Sequence, residues 1–208
     1  MSIWYRHPRL YDLGMRLIHG KHYTERYEYL SSLIQEGSSL LDIGCGSCLL
    51  YEYLRKKSVQ YQGWDLNSYF VKVAQKKGLN VKLQDCVTAK IPSVDYIIVS
   101  DVLHHIAKRD RGLVRSCFKQ AKKALIIVEP FADPVKATRR VYRFLREMRR
   151  KVGFIEALIG ENDGSNAPHD ILIRPKQDLI RYLDSYGKNK KHIIGDELFA
   201  LYPKRPKH

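Results

Sequence analysis

Leu40-Leu41-Asp42-Ile43-Gly44-Cys45-Gly46-Ser47-Cys48 is the stretch on which the fold turns. Leu40 to Ile43 read as a buried strand, and the two glycines that follow permit a turn in which backbone can approach a ligand closely. A helix from about Cys48 to Lys57 then completes a strand, glycine turn and helix, the arrangement found at the mouth of a parallel sheet. A dinucleotide fold asks for G-x-G-x-x-G facing a pyrophosphate. Here Ser47-Cys48-Leu49 follows the second glycine, so the third glycine is missing. Asp42 places a carboxylate immediately before the turn. That acid suits a ligand carrying a positive amino group or sulfonium better than one carrying phosphates.

Outward from this core the chain alternates strands and helices. Thr24 to Glu36 predicts an amphipathic helix with Tyr27, Leu30, Leu33 and Ile34 on one face, Thr24 as N-cap and Gly37 as its stop. Before it, Trp4, Tyr5, Tyr11, Met15, Leu17 and Ile18 supply an apolar, aromatic stretch suited to a packed helix or flap. After the glycine turn come a strand at 61–65, a helix at 67–77 and a strand at 81–85. The nearly wholly apolar 95–100 reads as a central strand covered on both faces. A helix at 111–122 leads to a fifth strand at 124–128. Pro175 opens a helix ending at Gly187, and strands 191–194 and 197–202 are joined by Gly195-Asp196, a connection too short for a parallel crossover. The expected fold is α/β: a Rossmann-like, doubly wound sheet of seven strands, mostly parallel, with an antiparallel C-terminal hairpin. Residues 1–37 form a helical cap in this reading, and 38–208 the main domain with a basic insertion at 131–174.

Three acids end three successive strands: Asp42, Asp65 and Asp85. An acid at the tip of the second strand can accept from both hydroxyls of a ribose, and one at the third is placed for an adenine amino group. Asp85 has a second reading, as a turn cap, with Gln84 or Cys86 facing the ligand instead.

On these residues the chain resembles the class I methyltransferases. Leu-Leu-Asp-Ile-Gly-Cys-Gly-Ser resembles their first motif, and Gly63-Trp64-Asp65 their second. Val94 to Ile106, containing Ser100-Asp101-Val102-Leu103-His104-His105, resembles the fourth-strand motif of the ubiquinone- and menaquinone-biosynthesis type, and the likeness runs over about 38–130. Cys48 departs from it, standing where many members have a third glycine. The resemblance implies S-adenosyl-L-methionine as cofactor, held by Asp42, Gly44, Cys45, Gly46, Asp65, Leu66, Asp85, Cys86 and Ser100. It also puts the end of the fourth strand beside the transferred methyl.

Methyl transfer needs an aligned nucleophile and, for oxygen or nitrogen acceptors, a base. His104 and His105 are the candidate catalytic residues, His104 foremost, since imidazole titrates near neutrality. Asp101, His104 and His105 would share one face of a helical turn, a spacing that resembles divalent-metal sites in some relatives, but His104 replaces their second acid. No metal is expected. Glu129, Asp133, His169 and Asp170 read as rim or structural residues.

The chain carries a net charge of +15, with 44% hydrophobic and 28% charged residues. That composition excludes a disordered chain. Much of the charge falls in Pro134 to Val152, which has eight basic residues and one acid, with Val141, Phe144, Leu145, Met148 and Val152 at helical spacing opposite. This basic amphipathic helix, followed by apolar 154–159, would overhang the acceptor. The acceptor expected is a small molecule or lipid-like, methylated at oxygen before nitrogen or carbon. An acidic membrane surface or a phosphorylated substrate would suit the charge. RNA is the alternative acceptor, and an interaction protein that keeps the fold without catalysis is the alternative of another class. Met1 to Pro8 offers no apolar stretch fit for export, so a cytoplasmic protein, at most peripheral to membrane, is expected. Cys45 and Cys48 make a C-x-x-C without the second pair a structural zinc site requires, and read as two small residues packed in a tight loop.

Overall fold

The computed structural model describes residues 12, 13, 15, 16, 20–132 and 172–204. In chain order these form α1 (His22–Leu33), β1 (Ser39–Ile43), α2 (Leu49–Leu54), β2 (Gln60–Asp65), α3 (Ser68–Lys76), β3 (Val81–Leu83), β4 (Val94–Ser100), α4 (Asp110–Gln120), β5 (Ala121–Pro130), α5 (Lys176–Asp184), β6 (Lys190–Ile194) and β7 (Glu197–Pro203). One sheet holds all seven strands in the order β3-β2-β1-β4-β5-β7-β6. β7 alone runs against its neighbours, pairing antiparallel with β5 and β6. The expected sheet and its antiparallel terminal hairpin are present.

Alternation along the central strands builds a core on each face. Leu41, Ile43, Ile97, Val99, Leu125, Ile127 and Leu198 turn to one side, under Leu113, Val114 and Cys117 of α4 and Leu179 and Leu183 of α5. Leu40, Ile98, Ile126, Val128 and Phe199 turn to the other, under Leu30 and Ile34, Leu50 and Leu54 of α2, and Val71 and Ala74 of α3. Each such fully buried aliphatic side chain contributes about 1.5–3 kcal/mol. The chain winds from β1 outward to β3, then returns to β4 beside β1. The order therefore reverses between β1 and β4, and a crevice opens at their carboxyl ends.

Several element ends differ from expectation. α1 starts at His22 with Lys21 as its cap residue, and Thr24 lies inside the helix, its hydroxyl donating to the Lys21 carbonyl at 2.9 Å. A capping hydroxyl must precede the first turn, and the buried stripe already begins at Tyr23. α1 also stops short of Gly37, with Ile34 extended. β3 ends at Leu83, so Asp85 stands past the strand. β5 starts at Ala121, which pairs with Val94, and continues through Pro130, so Glu129 belongs to the strand. The basic helix, Trp4, Tyr5, Tyr11, Asp133, His169 and Asp170 lie outside the described residues. No helix among the described residues is long and apolar enough to cross a membrane.

Candidate functional site

The glycine loop leaves β1 with Gly44 at φ +76° and Gly46 at φ +52°. At Gly44 the reason is contact as well as torsion. A Cβ there would lie 2.5 Å from Val102 Cγ2 and 2.7 Å from the Ser100 carbonyl oxygen, so glycine alone lets the β1 loop close against the end of β4. Gly44 and Cys45 both donate their N–H to the Trp64 carbonyl, at 2.9 and 3.1 Å. Around Gly46 no atom lies within 4 Å of a notional Cβ, so the loop faces open space there.

Asp65 fastens this loop to β2. Its carboxylate accepts the Gly46 N–H and the Asn67 N–H, each at 2.7 Å. Asn67 in turn caps α3, accepting from the Tyr69 and Phe70 amides. Burial pushes the Asp65 carboxyl up, opposed by the amides of Asn67, Gly46 and Leu66. A carboxylate has about four acceptor positions. Even with three amides turned to it, the carboxylate keeps capacity for a further hydroxyl donor. Leu66 beside it is exposed, a flat apolar neighbour for a ring.

Asp42 is placed differently from Asp65. It is buried beneath the loop and accepts the Tyr61 hydroxyl at 2.8 Å. Burial pushes its carboxyl up to about 6, with Tyr61 holding it down and Asp65 adding to the rise. Asp85 uses Oδ1 to accept the Val87 amide at 2.9 Å, the turn-cap arrangement. Cys86 is half-buried against the core under α4, and burial pushes its thiol up to about 11.

At the ends of β4, β5 and β7 the architecture relies on charged side chains. The buried Glu129 carboxylate accepts the amides of Val102 (3.0 Å), Leu103 (2.8 Å) and His104 (3.2 Å). These head the short 3-10 turn Leu103–His105. The His104 ring meets the same carboxylate through Nδ1 at 2.8 Å. His104 is buried and His105 exposed, with ring centroids 4.1 Å apart. The expected shared face of Asp101, His104 and His105 does not form, because Asp101 takes a left-handed conformation (φ +56°) and turns to Arg26. Among the described residues no group of three His, Cys, Asp or Glu is arranged to hold a metal ion.

Arg26 was invisible to motif reading, yet it ties this edge together. Its guanidinium donates to Asp101 Oδ2 and Ser100 Oγ, both at 2.7 Å, and to Glu197 Oε1. Only 4% of Arg26 is exposed. Burial opposes its charge, but Asp101 and Glu197 more than compensate and hold its pKa above the usual arginine range. Burial pushes the Glu197 carboxyl up while Arg26 pulls it back. Asp12 was also missed. It accepts from Tyr23 Oη at 2.9 Å and Ser47 Oγ at 2.6 Å, joining the segment before α1 to the glycine loop. A signal existed for Arg26, a lone cation among Tyr23, Tyr27 and Leu30 at helical spacing. None existed for Asp12.

A family model described as methionine biosynthesis protein MetW matches residues 24–133. A ubiquinone biosynthesis O-methyltransferase of Xanthomonas oryzae pv. oryzae is 28% identical over 107 residues, 47% of this chain and 44% of the relative. The chain thus spans under half the length of the curated relatives it matches. Among solved structures, a putative methyltransferase in complex with the Haloferax volcanii Trm112 activator superposes with a TM-score of 0.65 at 13% identity, over 98% of this chain and 96% of the other. The magnesium protoporphyrin IX methyltransferase of Synechocystis PCC 6803, solved with SAH, gives 0.58 at 15% identity, over 86% and 82%.

Proposed function

The chain belongs to the MetW family, and from that membership and the site we propose that it is an S-adenosylmethionine-dependent methyltransferase. The observation that carries this reading is Asp65, pinned at the tip of β2 by Gly46 and Asn67 with acceptor capacity to spare beside an open glycine loop. The residues fit the cofactor. Asp65 would take the ribose hydroxyls, exposed Leu66 the adenine face, and Gly44, Cys45 and Gly46 the amino-acid end, with Asp42 beneath as a countercharge to the ammonium. Ser100 borders the same space from β4. Asp85, occupied with its turn, contributes through the shape of the adenine end, together with Cys86. When bound, the cofactor supplies an electrophilic methyl group.

The acceptor class we propose is a small or lipid-like molecule bearing a hydroxyl, as the O-methyltransferase relative favours. His104 takes the hydroxyl proton. With Nδ1 donating to Glu129, Nε2 is the ring atom that receives it. Titrating S-adenosylhomocysteine by calorimetry into wild type and Asp65→Ala tests the core of the proposal. Micromolar binding that collapses in the variant supports it, and a wild type that does not bind ends it. RNA that binds with a steep salt dependence and is methylated would replace the small acceptor. Failure of the wild type to bind S-adenosylhomocysteine under varied conditions would favour a cofactor-free interaction protein that keeps the fold.

A further inference from the structure

In the scheme above Cys45 serves only as part of the glycine loop and Cys48 has no role, yet the fold brings their two sulfurs together. Cys45 Sγ and Cys48 Sγ lie 3.7 Å apart, and the Cys48 amide donates to the Cys45 carbonyl at 2.8 Å. A turn closed in this way keeps its end Cα atoms within about 7 Å. That overlaps the roughly 4.4–6.8 Å spanned by disulfides. The residues between them are Gly46 and Ser47, and Gly46 already sits at φ +52°. The loop therefore has the glycine needed to absorb a shift. Both cysteines are free thiols. Cys45 Sγ packs on Gly63, where a notional Cβ would come within 2.8 Å of it, so the sulfur cannot move toward β2. Closure must draw Cys48 and the intervening backbone inward.

We propose that Cys45 and Cys48 are an oxidisable dithiol, closed by a peroxide to a disulfide that pulls Gly46 away from Asp65 and weakens the cofactor loop. One thiolate attacks the peroxide. An S–O bond forms, the O–O bond breaks, and hydroxide leaves a sulfenic acid. The second thiolate attacks that sulfur, forming S–S as the S–O bond breaks and a second hydroxide departs. The two thiol protons turn both hydroxides into water, so the sulfurs lose two electrons and the peroxide gains two. Closing from 3.7 Å to a bonded S–S distance of about 2.05 Å moves the backbone that carries the Gly46 N–H, now 2.7 Å from Asp65. Mutual contact and burial push the Cys45 thiol up, so attack waits for the loop to loosen. A bound cofactor, holding the loop down, slows the reaction.

The effect on binding rests on the cofactor reading above; the cross-link itself does not. The full chain, reduced with dithiothreitol and then treated with hydrogen peroxide, is followed by intact mass, by peptide mapping and by S-adenosylhomocysteine calorimetry. The expected results are loss of two hydrogens mapped to Cys45–Cys48 and an affinity lower by about tenfold, restored by dithiothreitol. Prior saturation with S-adenosylhomocysteine should slow the mass change. Cys48→Gly, suited to the φ of +61° there, and Cys48→Ser should show neither the cross-link nor the loss. An unchanged mass, or oxygen added to separate cysteines, overturns the dithiol. A mapped cross-link with unchanged affinity overturns the switch while leaving the cofactor reading standing. Reduced wild type that fails to bind overturns that reading and the switch with it.

Discussion

The two halves of the crevice are built by different means. At β1 and β2 the glycine loop is held mainly through its own amides: Gly44, Cys45 and Gly46 donate to the Trp64 carbonyl and the Asp65 carboxylate within one strand-helix-strand unit, and Asp12 reaches Ser47 from outside it. At β4, β5 and β7 the edge is held by side chains from distant parts of the chain. Arg26 of α1 meets Glu197 of β7 and Asp101 past β4, and Glu129 of β5 gathers the turn that carries His104. The first half is local and tolerates change outside its motif. The second is a charged network in which each partner depends on the others being present.

The largest expected effect strikes the network. Arg26→Met leaves Glu197 buried without its cation, which should cost about 3–5 kcal/mol, or roughly 6–20 °C in thermal midpoint. Adding Glu197→Gln should recover part of that loss. If the double variant is no more stable than the single one, the two do not act as a pair.

Asp42 offers a contrast inside the local half. Its carboxyl is pushed up to about 6 in the fold, from an unfolded value near 4. Its favourable contribution is therefore complete below about pH 4 and is lost as pH rises through about 6. Asp42→Asn should match wild type in denaturant unfolding at acid pH and exceed it above pH 6, by at most about 3 kcal/mol. A constant difference across that range would mean Asp42 does not change protonation there.

Asp65→Asn should weaken S-adenosylhomocysteine by about a hundredfold, near 2.7 kcal/mol, with a smaller change in thermal midpoint. An equal loss in both would reduce Asp65 to a structural clasp. Glu129→Gln gives the smallest effect, about a tenfold fall in kcat with KM unchanged, together with a shifted acid limb of the pH–rate profile. A pH profile that does not move would assign Glu129 to the turn alone.

The same contrast explains what the sequence disclosed. Asp42, Gly44, Gly46 and Asp65 were legible because a few adjacent residues dictate a loop, and the alternating strands fixed the winding and the terminal hairpin. For Asp85 the sequence leaves two readings open, and the turn cap is the one its geometry matches; β3 ends early at Leu83, and a three-residue edge strand leaves little pattern to place it. Glu129 reads only as rim or structural, because nothing in Glu-Pro reveals that its carboxylate turns back to amides 25 to 27 residues earlier. Arg26 and Glu197 lie 171 residues apart, beyond any periodicity.

That separation has a consequence for a chain being made on the ribosome. Arg26 emerges long before Glu197 exists, and domains generally fold as units while synthesis proceeds from the N-terminus. Until the last hairpin is released, the guanidinium must stay hydrated or make do with Asp101. The glycine loop can be formed on a nascent chain, whereas the edge at β4, β5 and β7 waits for Glu197. A chain released before Glu197 should therefore be left with half a crevice.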